Sequence, residues 1–259
     1  MSEILSILPI PAFKDNYIWL IDTNEGYIVV DPGDAVPVMN TIGSSINKDL
    51  TILITHHHFD HTGGVETLKD KYRANVLGPK GSPFKAIDQA LISGDAFNLY
   101  GLFIEIDHIP GHTLDHIYYL IHDDNKSHLF CGDTVFSGGC GRVFEGTFKQ
   151  MHDSLNKISA LPNDTFVYPT HEYTLSNLKF ALQAEPNNKD LQDYENHCQK
   201  LREQGTPTLP TSIKQELLIN PFLRTHSSDI HAVLKNIRGI ETTASEDVFS
   251  GLREWKDSF

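Results

Sequence analysis

The chain has 259 residues, of which 39% are hydrophobic, so it can form one large domain, or one domain and a smaller one, with a real apolar core. Its formal net charge of −13 argues against general binding to nucleic acid or anionic membranes, because both need a cationic surface. An anionic substrate would therefore have to be drawn in by a local basic patch.

The cysteines and the N-terminus indicate where the protein works. Cys131, Cys140 and Cys198 form neither an even disulfide framework nor a close pair, which favours a reducing compartment. Residues 1–4 show no basic region followed by a long apolar run, and no segment approaches the length of a membrane span. We expect a soluble cytoplasmic protein.

Up to about Tyr173, short β-rich runs alternate with turn residues. The predicted strands are Tyr17–Ile21, Tyr27–Val30, Leu50–Ile54, Leu102–Ile106, Ile117–Ile121, Leu129–Cys131 and Phe166–Tyr168. Between them, Met151, Leu155 and Ile158 have the spacing of a helix.

From Leu175 onwards the apolar spacing is helical, and no convincing strand follows. The residues that show this spacing are Leu175, Leu178, Leu182, Leu191, Tyr194, Cys198 and Leu201. Residues 205–210 contain glycine and two prolines and are predicted to form a loop. We therefore predict a mixed α and β domain over residues 1–173 and a helical domain over residues 174–259.

A dense group of metal-ligand side chains follows the strand Leu50–Ile54. His56 and His58 share one face of an extended segment, whereas His57 points away. Asp60 and His61 follow a turn, before a helix predicted near Val65. Imidazoles with a carboxylate and no nearby cysteine suit a Zn(II), Fe(II) or Mn(II) site rather than a closed structural zinc site. The alternative is a polar loop that binds metal only incidentally.

Three further candidate ligands come just after predicted strands. His112 follows Pro110 and Gly111, Asp133 follows Gly132, and His171 follows Pro169 and Thr170. Each could by itself be an ordinary turn residue, but several strand ends can converge on one rim.

Together with the first group these residues make seven ligands, which suits two metals. His56, His58 and His112 would hold one ion, Asp60, His61 and His171 the other, and Asp133 would bridge them. Two ions can share a water whose pKa falls enough to supply hydroxide near neutral pH.

The pattern His56-x-His58-x-Asp60-His61, with the later His, Asp and His, resembles the metallo-β-lactamase superfamily. That resemblance implies an α+β fold, a four-layer αβ/βα sandwich with the site at one edge. The segments 55–64, 110–113, 132–136, 139–147, 171–174, 220–224 and 253–257 are similar to glyoxalase II, the hydroxyacylglutathione hydrolases. The ligand motif indicates only the superfamily, whereas the segment Gly139–Gly141 and the C-terminus are specific to the glutathione thioesterases.

This resemblance implies hydrolysis of S-D-lactoylglutathione to D-lactate and glutathione, the second step of methylglyoxal detoxification. It also implies that the helical domain binds glutathione. Arg253 and Lys256 lie three apart, on one face of a helix, where basic residues near a helix end could also be merely solvated. By resemblance, Arg142 and Tyr173 contact glutathione too. Some relatives carry a tyrosine where this chain has Phe144, so one hydroxyl contact is expected to be missing.

The expected chemistry is attack of a metal-bridging hydroxide on the thioester carbonyl. The ion held by His56, His58 and His112 would polarise that carbonyl, and Asp60 would orient the hydroxide. We therefore assign catalytic roles to His56, His58, Asp60 and Asp133. Zinc is the first expectation, with iron or manganese as alternatives.

Other functions remain open at this point. A Cys131 or Cys140 nucleophile lacks a neighbouring base in any recognisable motif. Persulfide dioxygenases use one iron and oxygen, and the long C-terminal domain of this chain fits them less well. Zinc β-lactamases usually carry Cys in place of Asp133, and flavodiiron reductases carry Glu near His58, so both classes are disfavoured here. A metal-storing or regulatory module without turnover would be expected to have lost ligands, and all seven are present. A monomer without nucleic-acid or membrane partners is the default expectation.

Overall fold

In the computed structural model, residues 5–43, 46–123 and 126–259 are described, and the N-terminal segment 1–4 considered above lies outside them. The chain forms two compact units. The first comprises residues 1–108 and 115–132, and the second comprises residues 109–114 and 133–259. No helix among the described residues is long and apolar enough to cross a membrane. The division after residue 173 predicted from sequence stays a prediction.

The described residues of the first unit form two sheets and three helices. One sheet has the order β1 (Leu5–Ala12), β2 (Asn16–Thr23), β3 (Gly26–Val30), β4 (Asp49–Leu53), β5 (Asn75–Pro79) and β6 (Gln89–Leu91). The strands of the other sheet that lie in this unit are β7 (Ala96–Leu99), β8 (Leu102–His108), β9 (Ile117–His122) and β10 (Ser127–Phe130). The helices are α1 (Ala35–Ile42), α2 (Phe59–Thr62) and α3 (Val65–Tyr72).

The first sheet is antiparallel from β1 to β3 and parallel from β3 to β6. Its core side chains include Ile18, Val29, Ile52 and Val76, which pack with Leu68 of α3. Parallel strands that are covered on both faces are apolar throughout, which explains why Leu50–Ile54 shows no alternation. The second sheet is antiparallel.

The second unit contains two short strand pairs and six helices. Strands β11 (Val135–Phe136) and β12 (Gly139–Cys140) form a hairpin, and β13 (Phe166–Val167) pairs with β14 (Thr211–Ser212). The helices are α4 (Phe148–Ser159), α5 (Thr174–Ala184), α6 (Lys189–Glu203), α7 (Ile213–Ile219), α8 (Ser228–Arg238) and α9 (Ser245–Asp257).

Most predicted elements are confirmed. Each of the seven predicted strands has a counterpart within two residues at either end, and the helical spacing after Leu175 corresponds to α5 and α6. The prediction that no strand follows Tyr173 is wrong, because β14 lies at Thr211–Ser212. A two-residue strand is too short to produce an alternating pattern in a sequence.

Candidate metal centre

The first group of candidate ligands lies between β4 and α3. The chain leaves β4 after Leu53, and α2 is a single helical turn that carries Asp60 and His61. These two side chains lie together, with 3.6 Å between Asp60 Oδ2 and His61 Nε2. Gly33 packs against this turn, since a Cβ there would lie 1.9 Å from the carbonyl oxygen of Asp60. Only glycine fits that close approach.

Asp31, at the end of β3, orients two of these histidines. Its buried carboxylate accepts hydrogen bonds from the Thr55 amide (2.7 Å) and the Thr55 hydroxyl (2.6 Å), and lies 2.9 Å from His61 Nδ1. A carboxylate only accepts, so His61 donates from Nδ1. The Thr55 hydroxyl donates its one proton to Asp31, so it must accept a hydrogen bond from His56 Nδ1 at 3.1 Å. Both imidazoles thus keep the Nε2 lone pair for a metal.

The remaining side chains of the first unit fit this arrangement. Asn16 donates from Nδ2 to Asp60 Oδ2 at 3.1 Å and fixes the direction of that carboxylate. His57 Nδ1 lies 2.9 Å from the carboxylate of Asp115, which is in the connection between β8 and β9. His56 is fully buried and stacks on His116. Nothing in the sequence indicated Asn16 as a partner of a candidate ligand.

The second unit brings His112, Asp133 and His171 together. Asp133 Oδ2 lies 3.4 Å from His112 Nε2, and Asp133 Oδ1 lies 3.4 Å from His171 Nε2. Each carboxylate oxygen therefore faces a different imidazole, which is the arrangement of a bridging carboxylate. His112 donates from Nδ1 to the carbonyl oxygen of Arg142 at 2.8 Å, because a carbonyl only accepts. His171 stacks on Tyr173, with 4.6 Å between ring centroids.

The donor chemistry of both groups fits divalent metal ions. Among the described residues, imidazole and carboxylate atoms gather within 4.8 Å of one another in several clusters, including Asp31, His56 and His61. Neutral imidazoles held through Nδ1, beside carboxylates, suit zinc, iron or manganese. The assignment of the individual ligands to two ions stays a prediction.

The predicted glutathione contacts all lie in the second unit. Arg253 and Lys256 of α9 both face the Phe222 ring, at 5.3 and 5.7 Å, as expected for residues three apart on a helix. Arg253 is only 2% exposed and donates to the Cys140 carbonyl (2.9 Å) and to Asp257 (2.9 Å). Burial, and then the nearby charge of Arg253, lower the pKa of Lys256 to about 8.

Arg142, Phe144 and Tyr173 occupy more open positions than Arg253. The Arg142 side chain is 60% exposed and lies 3.5 Å from Asp257. Phe144 is 62% exposed and approaches the His112 ring edge-on. Nothing in the sequence indicated that Asp257 is the carboxylate near both arginines, or that Asn177 accepts from the Lys256 ammonium.

The cysteines are poor candidates for a nucleophile. Cys131 and Cys140 are buried, and burial raises the pKa of the Cys140 thiol. Cys131 lies one residue past the end of β10, so its predicted place inside a strand is wrong, although its predicted burial is confirmed. A buried thiol with a raised pKa is inert as a nucleophile.

Comparison with known proteins defines the class. A sequence profile of the metallo-beta-lactamase superfamily matches residues 13–171, and a profile of the hydroxyacylglutathione hydrolase C-terminus matches residues 172–259. The crystal structure of ETHE1 from Myxococcus xanthus superposes with a TM-score of 0.64 at 23% identity, over 96% of this chain and 98% of that one. The protein is a member of the metallo-β-lactamase superfamily, and the predicted α+β sandwich fold with a helical C-terminal region is confirmed.

Closer relatives define the family within that class. The hydroxyacylglutathione hydrolase of Pseudomonas aeruginosa is 48% identical over 258 residues, and that of Chromohalobacter salexigens is 45% identical over 257. In both cases the match covers 98% of this chain and the full length of the relative. The chain belongs to the hydroxyacylglutathione hydrolase family and is a metal-dependent hydrolase.

Proposed function

We propose that this protein hydrolyses S-2-hydroxyacylglutathione thioesters, S-D-lactoylglutathione first among them, to glutathione and the hydroxy acid. One observation carries the proposal: the β11–β12 hairpin begins two residues after Asp133 and ends at Cys140, whose carbonyl oxygen holds Arg253. A carboxylate suited to metals and a cationic helix suited to an anionic peptide are thus joined by one short element. The names of the full-length relatives support the same substrate class.

The seven predicted ligands are proposed to hold two divalent ions. His56, His58 and His112 would bind one ion, Asp60, His61 and His171 the other, and Asp133 would join them. Bound there, zinc, or alternatively iron or manganese, would polarise the thioester carbonyl and acidify a water. Asp31 and Thr55 keep His56 and His61 in the tautomer that can bind, and Asn16 holds the Asp60 carboxylate, which would orient the attacking water.

The residues of the second unit are proposed to bind the glutathione part of the substrate. Glutathione carries two carboxylates, and Arg142, Arg253 and Lys256 supply positive charge near Asp257, while Tyr173 offers a hydroxyl beside His171. The thiol of the leaving group has a pKa of about 8.5, so it can leave as a thiolate without a dedicated general acid.

The domain roles and the compartment belong to the same proposal. Residues 1–173 would carry the chemistry and residues 174–259 would bind glutathione, an assignment that the cations of α9 support. The free, buried cysteines are compatible with the reducing cytoplasm. We propose that the protein acts there as a monomer.

The test is a steady-state assay with S-D-lactoylglutathione and metal analysis of the same sample. We expect the Asp133→Ala variant to lose both bound metal and activity, because the two Asp133 carboxylate oxygens lie next to different imidazoles. Asp153→Ala, which removes an exposed carboxylate paired with Lys149, is the matched control and should keep both. Two bound metals without turnover would instead indicate a binding module. Oxygen uptake with glutathione persulfide would indicate a dioxygenase.

A further inference from the structure

The β11–β12 hairpin is too small to hold its own shape. Only two residue pairs face each other in it, Val135 with Cys140 and Phe136 with Gly139. Its turn passes through Gly138, which has a φ of +69°. An isolated two-stranded hairpin is marginal in water even when it is much longer than this one. Something outside the hairpin must therefore fix its geometry.

Two buried side chains of the α7 region hold the turn through its backbone. Glu216 Oε2 accepts from the Gly138 amide at 2.9 Å. Asn220 donates from Nδ2 to the carbonyl oxygens of Phe136 (3.2 Å) and Gly139 (2.9 Å). Three backbone groups around the turn are thus bonded to only two side chains.

Glu216 and Asn220 also support each other. Asn220 Nδ2 lies 3.0 Å from Glu216 Oε2, and the Thr211 hydroxyl donates to Glu216 Oε1 at 2.8 Å. Burial raises the pKa of Glu216, and its hydrogen bonds oppose that shift. A fully buried acid is a costly core residue, and an apolar side chain of similar size would often be at least as stable there. What the acid provides is a specific acceptor for the Gly138 amide.

The open end of the same hairpin lies at the candidate ligands. The Gly141 amide donates to the Thr134 carbonyl oxygen at 3.1 Å, closing the end next to Asp133. The carbonyl oxygen of Arg142 accepts from His112 Nδ1 at 2.8 Å. Displacing the hairpin would therefore move the Asp133 carboxylate and the group that orients His112.

We propose that Glu216 and Asn220 are positioning residues, which fix the β11–β12 turn and through it hold Asp133 and His112 in place for metal binding. The proposal rests on the proposed function for the assignment of Asp133 and His112 as metal ligands. Removing groups that orient metal ligands typically lowers metal affinity by about 10- to 100-fold.

The decisive variant is Asn220→Asp. The side chain keeps its shape, but the amide donor becomes a carboxylate oxygen that faces three acceptors: two backbone carbonyls and the Glu216 carboxylate. We expect zinc affinity of the metal-free protein, measured by competition with a chromophoric chelator, to fall by about tenfold or more. With saturating zinc, we expect kcat for S-D-lactoylglutathione to fall by at least about tenfold. We expect KM to change less than kcat, because the bonds of Arg253 with Asp257 and of Lys256 with Asn177 do not themselves involve the hairpin backbone.

Glu185→Gln is the matched control. Glu185 is also a buried acid that accepts several hydrogen bonds, but its donors are Arg224, Ser227 and Asn188 rather than groups of the hairpin. The Glu185→Gln variant should have a lower midpoint of thermal unfolding, while its zinc affinity and kcat stay unchanged. Equal losses of zinc affinity in Glu185→Gln and Asn220→Asp would overturn the proposal, as would wild-type zinc affinity and kcat in Asn220→Asp.

A milder variant keeps the test valid if Asn220→Asp does not fold. Glu216→Gln retains one acceptor oxygen, and we expect it to weaken zinc binding in the same direction by several-fold, with unchanged affinity counting against the proposal. The zinc titration needs no turnover. A wild-type protein that binds zinc but leaves lactoylglutathione intact would refute the proposed function, while the positioning role would still be decided by zinc affinity.

Discussion

A single buried carboxylate sets the protonation of two predicted ligands. Asp31 accepts from Thr55 and His61, and the Thr55 hydroxyl then accepts from His56, so both imidazoles keep Nε2 unprotonated. Asp31 itself has a φ of +51°, which is uncommon for a residue other than glycine. A strained backbone at this position is consistent with a functional constraint, since such strain is concentrated at active sites.

Phe144 offers a prediction at the residue scale. The exposed ring approaches His112 edge-on, and Phe144→Tyr would add a hydroxyl able to hydrogen-bond the substrate. One neutral hydrogen bond contributes about 1 kcal/mol, so KM for lactoylglutathione should fall about fivefold with little change in kcat. Steady-state kinetics of the two proteins decide this. A KM that does not fall would count against contact of this position with glutathione.

Lys256 predicts a pH dependence of substrate binding. Burial, and then the neighbouring Arg253, lower its pKa to about 8, whereas Asp257 opposes the shift. Loss of the charge above about pH 8 weakens attraction for a glutathione carboxylate, so KM should rise by up to about tenfold between about pH 7 and pH 9. Lys256→Arg is the comparison, because arginine stays charged there. A KM profile of the same shape in both proteins would remove Lys256 from the binding site.

The same shift predicts the sign of a stability effect. The pKa of Lys256 is lower in the folded protein than the ordinary value of 10.5, so the unfolded chain binds more protons between about pH 8 and pH 10.5. The contribution of this group to the free energy of unfolding therefore rises with pH across that window. An anion bound next to Lys256 would oppose this trend.

The short strands β11 and β12 connect Asp133 to Cys140, and the sequence did not predict them. Met151, Leu155 and Ile158 predicted α4, and all three are fully buried, because a twelve-residue helix repeats its apolar spacing several times. Strands β11 and β12 have two residues each and no repeat to detect. Their existence depends on side chains of α5 and α7, which lie 40 to 84 positions further along the chain.

Gly141→Ala is a prediction at the level of this hairpin. A Cβ at Gly141 would lie 2.0 Å from the Asp133 carbonyl oxygen and 3.3 Å from His112 Nδ1. Backbone atoms cannot yield to such an overlap, so the segment that carries Asp133 must shift. We expect metal content and activity to fall by about tenfold or more, as measured on the purified protein.

Gly205→Ala provides the contrast for Gly141→Ala. Gly205 follows α6, has a φ of +71°, and has no atom near the place of an added Cβ. The substitution costs about 1 kcal/mol of stability through backbone strain but should leave metal content unchanged. If both glycine variants lost metal equally, the close packing of Gly141 on Asp133 would not be the cause.

The whole molecule has a net charge of −13, which would repel the proposed anionic substrate. A local group of cations can overcome this repulsion. Arg142, Arg253 and Lys256 gather near the carboxylate of Asp257, so positive charge is concentrated at this place in a negative protein. Arg253 is buried and bonded to Cys140, so it contributes mainly as a fixed charge and as a support for the hairpin.

Removal of metal should lower the stability of the whole protein. A ligand that binds only the native state at about 1,000 times its dissociation constant adds about 4 kcal/mol, which corresponds to a thermal midpoint about 10 °C higher for a chain of this size. Calorimetry before and after treatment with a strong chelator measures this difference. Asp133→Ala should show a much smaller change, and an equal change in both proteins would place the stabilising metal elsewhere.

The sequence by itself determined the ligand types, the superfamily and the longer elements. Donor chemistry belongs to residue types, and the spacing of His56, His58, Asp60 and His61 is local, so both are visible without coordinates. Only the tertiary structure decided which nitrogen of His61 is protonated, that each oxygen of Asp133 faces a different histidine, and that Glu216 and Asn220 hold the hairpin. These features join residues 21 to 84 positions apart, and no local pattern encodes such contacts.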